Sequence, residues 1–167
     1  MEPVQKNRRQ QGGGSVMMWG VLLSSGDIFL EEVNKRMTAD VYINLLKNKG
    51  LPFIKECAGK GFIFQQGNCS KHVAKKSKKY FEEAKISLLE WPARSPDLNP
   101  IENVWEMISR IVYDGPEIKP KQELRQRIAI AKDRVVLEKR DVLCKLFSNY
   151  YNHLFKLFDK KGAKIDY

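Results

Sequence analysis

WPARSPDLNPIENVWEMISR, residues 91–110, joins the end of an apolar run to the head of an amphipathic helix, and its reading decides the fold. Ile86 to Trp91 reads as a β-strand closed by Pro92, and after Asn99-Pro100 the residues Ile101, Val104, Trp105, Ile108 and Val112 recur at helical spacing. Proline suits the first helical turn, where a missing N–H leaves nothing unsatisfied. Upstream, Phe62-Ile63-Phe64 between Gly61 and Gly67 is a short apolar run of the kind found in strands buried on both faces. A helix is expected directly after it, capped by Ser70. Val73, Ser77, Tyr80, Phe81 and Ala84 form its buried stripe, while Lys71, Lys75, Lys76, Lys78 and Lys79 project away. Strand, helix, strand, helix in that order implies a parallel pair.

Working outward, Val16–Leu23 and Ile28–Leu30 read as a β-hairpin with its turn at 24–27. Thr38 caps a helix bearing Val41, Tyr42, Leu45 and Leu46 on one face, which Gly50 and Pro52 are expected to end. Residues 121–136 and 140–158 read as two further helices. The plan is α/β, with a polar, glycine-rich tail over 1–14, a domain over 15–113 and a helical extension over 114–167. No internal repeat or low-complexity tract interrupts it.

Thirty Lys and Arg against twenty Asp and Glu give the 167-residue chain a charge of +10, the footprint of a polyanion binder, with nucleic acid the leading partner. No run approaches 18 apolar residues, and the first ten residues lack the apolar centre of a signal peptide, so an intracellular, soluble chain is expected, with no membrane partner. Cys57, Cys69 and Cys144 share no C-x-x-C spacing, which argues against a zinc site or a disulfide framework and suggests free thiols used for packing.

In an open α/β sheet the reacting groups gather beyond the carboxyl ends of the strands. Two such ends are visible: Gln65-Gln66-Gly67-Asn68, and the 91–102 segment that runs to Glu102. Together WPARSPDLNPIENVWEMISR, FIFQQGNCSKH (62–72) and GGGSVMMWG (12–20) resemble, in order, the signature segments of the Tc/mariner superfamily of DDE transposases. Thirty-four residues separate Gly67 from Glu102, the interval of the branch that uses two aspartates and a glutamate. The resemblance implies a ribonuclease-H-like mixed sheet flanked by helices. It also implies three carboxylates holding two Mg²⁺ (or Mn²⁺) ions, DNA cleavage and strand transfer, and a nuclear location, with no small-molecule substrate. Carried over residue by residue, only Glu102 survives as a catalytic and metal-binding carboxylate, because Gly67 occupies the position of the second aspartate. The family's first aspartate lies on a strand ahead of GGGSVMMWG. Glu2 is the one acid there, in a segment with no strand pattern. That first strand is central in the ribonuclease-H-like plan, so the expectation is an N-terminally truncated domain with a split sheet. The family's paired helix-turn-helix region, ahead of the catalytic domain, is likewise expected to be missing.

Local chemistry offers other roles for the same residues. Asn99, Pro100 and Glu102 form a capping-box pattern that needs no metal. Asp97, Asp27 and Asp40 fit turn and helix-start positions. His72 matches the family's histidine after the second aspartate and could meet a phosphate or stay solvated, while His153 fills space in the last helix. DNA contact is expected from Lys71, His72, Lys75, Lys76, Lys78, Lys79, Arg94 and Arg125. Lys119, Lys121, Arg125, Arg127, Lys132 and Arg134 form a second basic set, and solvated helix faces are the competing reading for both. Two functions follow: a transposase fragment without activity, or a non-catalytic module that binds DNA, an intact transposase or itself.

Overall fold

The computed structural model describes residues 15–89, 91–92 and 95–148. The readings for the 1–14 tail, Arg94, His153 and the helix beyond residue 148 lie outside these. β1 (Met18–Leu22) and β2 (Ile28–Glu32) form the expected antiparallel hairpin, with Trp19 opposite Glu31 and Val21 opposite Phe29. Leu23 and Asp27 close its turn, and Gly26 takes a φ of +84° that favours glycine. Strand alternation sorts the hairpin onto two cores. Trp19, Val21 and Leu23 join Tyr42, Leu46, Leu51, Ile54 and Phe81 on one face. Ile28, with Leu22 and Leu30 beside it, joins Val104, Ile108, Val112, Ala131, Val135 and Leu143 on the other.

The first core is roofed by α1 (Ala39–Leu45), whose N-cap Thr38 accepts the Val41 N–H at 3.2 Å as expected. The helix does not stop at Gly50. It passes through a π-helical turn (Leu46–Gly50) into α2 (Leu51–Ala58) and ends at Gly59, whose φ is +71°. Pro52 is tolerated because it stands in the first turn of α2, where the wider turn ahead of it takes up the missing donor. Gly50 instead lets the helix touch Trp19: a Cβ there would lie 2.5 Å from the ring.

β3 (Ile63–Phe64) pairs with β4 (Ser87–Leu88) in parallel, as the element order required, but each ladder strand is only two residues long. Ile63 is 68% exposed, which corrects the expectation of a strand buried on both faces. Phe62 and Phe64 pack into the first core, whereas the helices of the second face cover the hairpin and not β3. α3 (Lys75–Glu83) begins later than expected. Cys69 O takes the N–H groups of both His72 and Val73, so a turn occupies 69–72 and Ser70 caps nothing. Val73 and Ala84 are exposed, while Phe81 and Ser77 are buried, the Ser77 hydroxyl donating to Lys71 O at 2.7 Å.

α4 (Pro100–Val112) carries its expected stripe, with Val104, Ile108 and Val112 buried. α5 runs unbroken over Lys121–Ser148, in place of two helices. Leu137-Glu138-Lys139-Arg140 holds no glycine or proline, and Arg134 bonds Glu138 across the supposed break at 2.9 Å. Among the described residues the strands form two separate two-stranded sheets, β1–β2 and β3–β4. Cys57 and Cys69 are exposed free thiols rather than packing groups, and Cys144 is partly covered.

Candidate functional site

The carboxyl end of β3 is tied to the 91–102 segment by amide side chains. Gln65 Nε2 donates to Leu98 O at 2.9 Å, Asn68 Nδ2 to Trp91 O and Pro92 O at 3.3 Å each, and Trp91 Nε1 to Gln66 O at 2.9 Å. These bonds hold the two strand ends together, so Gly67 and Glu102 open on one cavity of about 370 Å³, lined also by Tyr42, His72, Asn99 and Trp105. Tyr42 is 1% exposed, and burial pushes its hydroxyl pKa up. The hydroxyl donates to Gln66 Oε1 at 2.7 Å. Sequence reading placed Tyr42 on an apolar stripe and missed this bond. The available signal was that a buried tyrosine needs a polar partner.

His72 sits half-buried between these groups, its ring 4.2 Å from that of Tyr42. Its Nδ1 lies 2.7 Å from Gly67 O, and since a carbonyl only accepts, Nδ1 carries the proton and Nε2 is left as an acceptor. Burial lowers the His72 pKa below 6.5, the Gly67 carbonyl opposes that shift, and Lys71 adds to it. A folded state that prefers neutral imidazole binds fewer protons than the unfolded chain. Stability contributed here is therefore full above about 6.5 and is lost as pH falls from there through the folded value. An NMR titration should place the His72 midpoint below 6.5, and a midpoint at or above 6.5 would reject this environment.

Glu102 stands in the first turn of α4. The capping-box reading meets a difficulty in the geometry. Asn99 N–H already donates to Pro96 O at 2.9 Å, and the Asn99 side chain makes no cap bond to the helix. What remains is Asn99 Nδ2 on Glu102 Oε1 at 3.3 Å. Partial desolvation raises the Glu102 pKa, and this one amide opposes the shift. Of the described residues lining the cavity, Glu102 is the sole carboxylate, and no group of three His, Cys, Asp or Glu suited to a metal occurs among the described residues. Two hard Mg²⁺ or Mn²⁺ ions need several anionic oxygens, so this donor set does not fit them. Gly67 is not a backbone necessity: its φ is not in the left-handed region, and a Cβ would meet only the His72 ring, at 3.5 Å.

The basic residues divide. Arg125 is held by Glu32 through two bonds of 2.7 and 2.8 Å, a bidentate pair that lowers the Glu32 pKa, and it is therefore not a free phosphate ligand. Arg127 bonds Glu123, Arg134 bonds Glu138 and Lys132 pairs with Asp133. On the lysine segment, Lys76 pairs with Asp40 and Lys79 with Glu83. Lys71, Lys75 and Lys78 have no acidic partner among the described residues.

Helices packed on both faces of the hairpin, a short parallel strand pair and a carboxylate beyond the strand ends belong to a ribonuclease-H-like fold, as the likeness to a solved structure shows. The structure superposes on that of the Mos1 transposase catalytic domain solved with Raltegravir and Mg, with a TM-score of 0.70 and 15% identity, over 90% of this chain and 77% of that one. Residues 2–125 match the model of the DDE superfamily endonucleases, and the chain belongs to that family, as a Tc/mariner-type catalytic-domain segment. It is 43% identical over 167 residues to the Tc3 transposase of Caenorhabditis elegans, covering 99% of this chain and 50% of that protein. Against the Tc1 transposase of the same organism it is 39% identical over 101 residues, 60% of this chain and 37% of that one. The chain thus spans half or less of the curated relatives it matches. No described helix is long and apolar enough to cross a membrane.

Proposed function

We propose that this chain is a transposase catalytic segment without DNA cleavage or strand-transfer chemistry, and that it meets DNA in the nucleus through phosphate contacts. The observation that carries the first part is Gly67, just beyond β3, lining the same cavity as Glu102, the one carboxylate among the described residues there. The domain reading is a catalytic core over 15–113 with a helical extension from 114 onward. The test of chemistry is Mg²⁺- or Mn²⁺-dependent nicking of terminal-repeat DNA. We expect none, and robust nicking abolished by Glu102→Ala would overturn the reading. Exclusion of a tagged chain from the nucleus would remove the location.

For DNA contact, Lys71, Lys75 and Lys78, which have no acidic partner among the described residues, are the best-placed residues, ahead of Arg125. Three phosphate contacts on a duplex correspond to a salt slope of about −2.7, hence roughly forty-fold weaker binding at 200 than at 50 mM salt. Changing Lys75 and Lys78 together to glutamate should flatten that slope by about two units and weaken binding to all sequences alike. An electrophoretic shift that is insensitive to salt, or unchanged by the double substitution, would count against this face. A second function, binding another polypeptide, is favoured by the sheet edges that have no partner strand among the described residues.

A further inference from the structure

Cys69 and His72 stand three residues apart in the turn that precedes α3, and both line the cavity onto which Gly67 opens. Cys69 O takes the N–H groups of His72 at 2.9 Å and of Val73 at 3.1 Å, which closes these residues into a single helical turn. On such a turn the side chains at i and i+3 rise from one side, their Cβ atoms about 5–6 Å apart. That separation lets a sulfur and a ring nitrogen close on one ion through bonds of about 2.0–2.3 Å. The histidine is already set as a ligand. Its Nδ1–H is spent on Gly67 O at 2.7 Å, which fixes the ring and leaves Nε2 as the basic atom. Tyr42 packs on the ring at 4.2 Å and restrains it. Cys69 is a free thiol. The Tyr42 hydroxyl pKa, raised first by burial, is raised further by Cys69, so the sulfur lies within electrostatic reach of the ring that packs on His72.

We infer that Cys69 and His72 form a two-coordinate site for a soft monovalent ion of the copper(I) class. Two donors suffice for an ion that accepts a linear pair of ligands. Zinc fills four positions, and no group of three His, Cys, Asp or Glu suited to a metal occurs among the described residues. Thiolate is the donor that selects copper(I), and imidazole binds copper as well. Charge argues in the same direction. A thiolate and a monovalent cation sum to zero, so the bound pair sits beside Lys71 without net charge, where a divalent ion would leave one positive charge in a half-buried place. The site uses neither Glu102 nor a side chain at position 67, and so it is independent of hard-ion chemistry.

The probe is Cu(I) itself, added without oxygen to the full chain in competition with a chromophoric chelator. Cys57→Ser and Cys144→Ser are made first, so that Cys69 is the remaining thiol. The expected result is one Cu(I) per chain, X-ray absorption with one sulfur and one nitrogen neighbour, and a shift of the His72 ring resonances in NMR. Losing an outer-sphere partner of a metal ligand costs roughly 10–100-fold in affinity, so losing a ligand through Cys69→Ser or His72→Gln should weaken binding about tenfold or more. The absorption and NMR readings are made with His72 in place and decide the matter even where His72→Gln loosens the turn. Two sulfur neighbours would overturn the inference, because Cys69 would then be bridging two chains. Ring shifts at the other histidine, His153, in place of His72 would overturn it too. So would Cu(I) affinity equal to that of the Cys69→Ser chain, or unchanged by His72→Gln in a chain that melts as its parent does.

Discussion

Gly50→Ala is expected to destabilise the domain by about 1–3 kcal/mol, measured by urea unfolding, although a glycine-to-alanine change inside a helix ordinarily stabilises by up to about 1 kcal/mol. The sign reverses because of one contact. A Cβ at Gly50 would fall 2.5 Å from Trp19 Cη2 and 3.2 Å from Cζ3. The ring has little freedom to yield: Trp19 is 8% exposed and wedged edge-on against both Phe29 and Tyr42. Relief would have to come from moving the hairpin away from α1 and α2 or from opening the π-helical turn, and either disturbs the first core. Against a total stability of about 5–15 kcal/mol this is a substantial loss. An unchanged or raised urea midpoint would show that the helix does not lie on Trp19 as described.

The same residue shows where the sequence was legible and where it was not. Gly50 and Pro52 have the composition of a helix stop, and a local reading takes them as one. What keeps the helix going is tertiary: Leu46, Leu51 and Ile54 are all buried in one core, and the glycine is needed for the approach of an aromatic ring thirty-one residues away. The hairpin turn and the α4 stripe were legible because their signals are local, a left-handed glycine in the first case and 3.6-residue periodicity in the second. The break expected near residues 137–139 failed for the opposite reason. Nothing local stops a helix there, and the stripe continues from Val135 to Leu143.

At the site, the juxtaposition of Gly67 with Glu102 was legible from strand order and from family resemblance, since both lie at carboxyl ends of paired strands. The means of holding them was not. Gln65, Gln66 and Asn68 read as loop polarity, yet each spends its amide on the 91–98 segment, on Tyr42 or on the His72 carbonyl. Long-range side-chain bonds of this kind leave no periodic trace. The charge of Arg125 was legible, but not its commitment to Glu32, ninety-three residues away.

Gly67→Asp is expected to raise Mn²⁺ affinity about tenfold or more over the unmodified chain, because hard divalent ions gain affinity with each carboxylate at the site. The substitution asks little of the fold. The backbone at 67 is already in a region open to all L residues, and the nearest atoms a Cβ would meet are His72 Nδ1 at 3.5 Å and Cε1 at 3.8 Å, ordinary contact distances. The Gly67 carbonyl that takes the His72 proton is main chain and is retained. The new carboxylate would share its cavity with Glu102, whose pKa is raised by desolvation. A bound cation reverses that by favouring the charged form, so binding should strengthen as pH rises and the carboxylates deprotonate. Paramagnetic broadening by Mn²⁺ at the His72 ring gives a direct reading, with Glu102→Ala in the same background as the control that should return affinity to the starting value. If the single substitution leaves Mn²⁺ affinity unchanged while the melt shows an intact fold, then Gly67 is not what separates this site from a metal site, and the proposed loss of chemistry must rest on other residues.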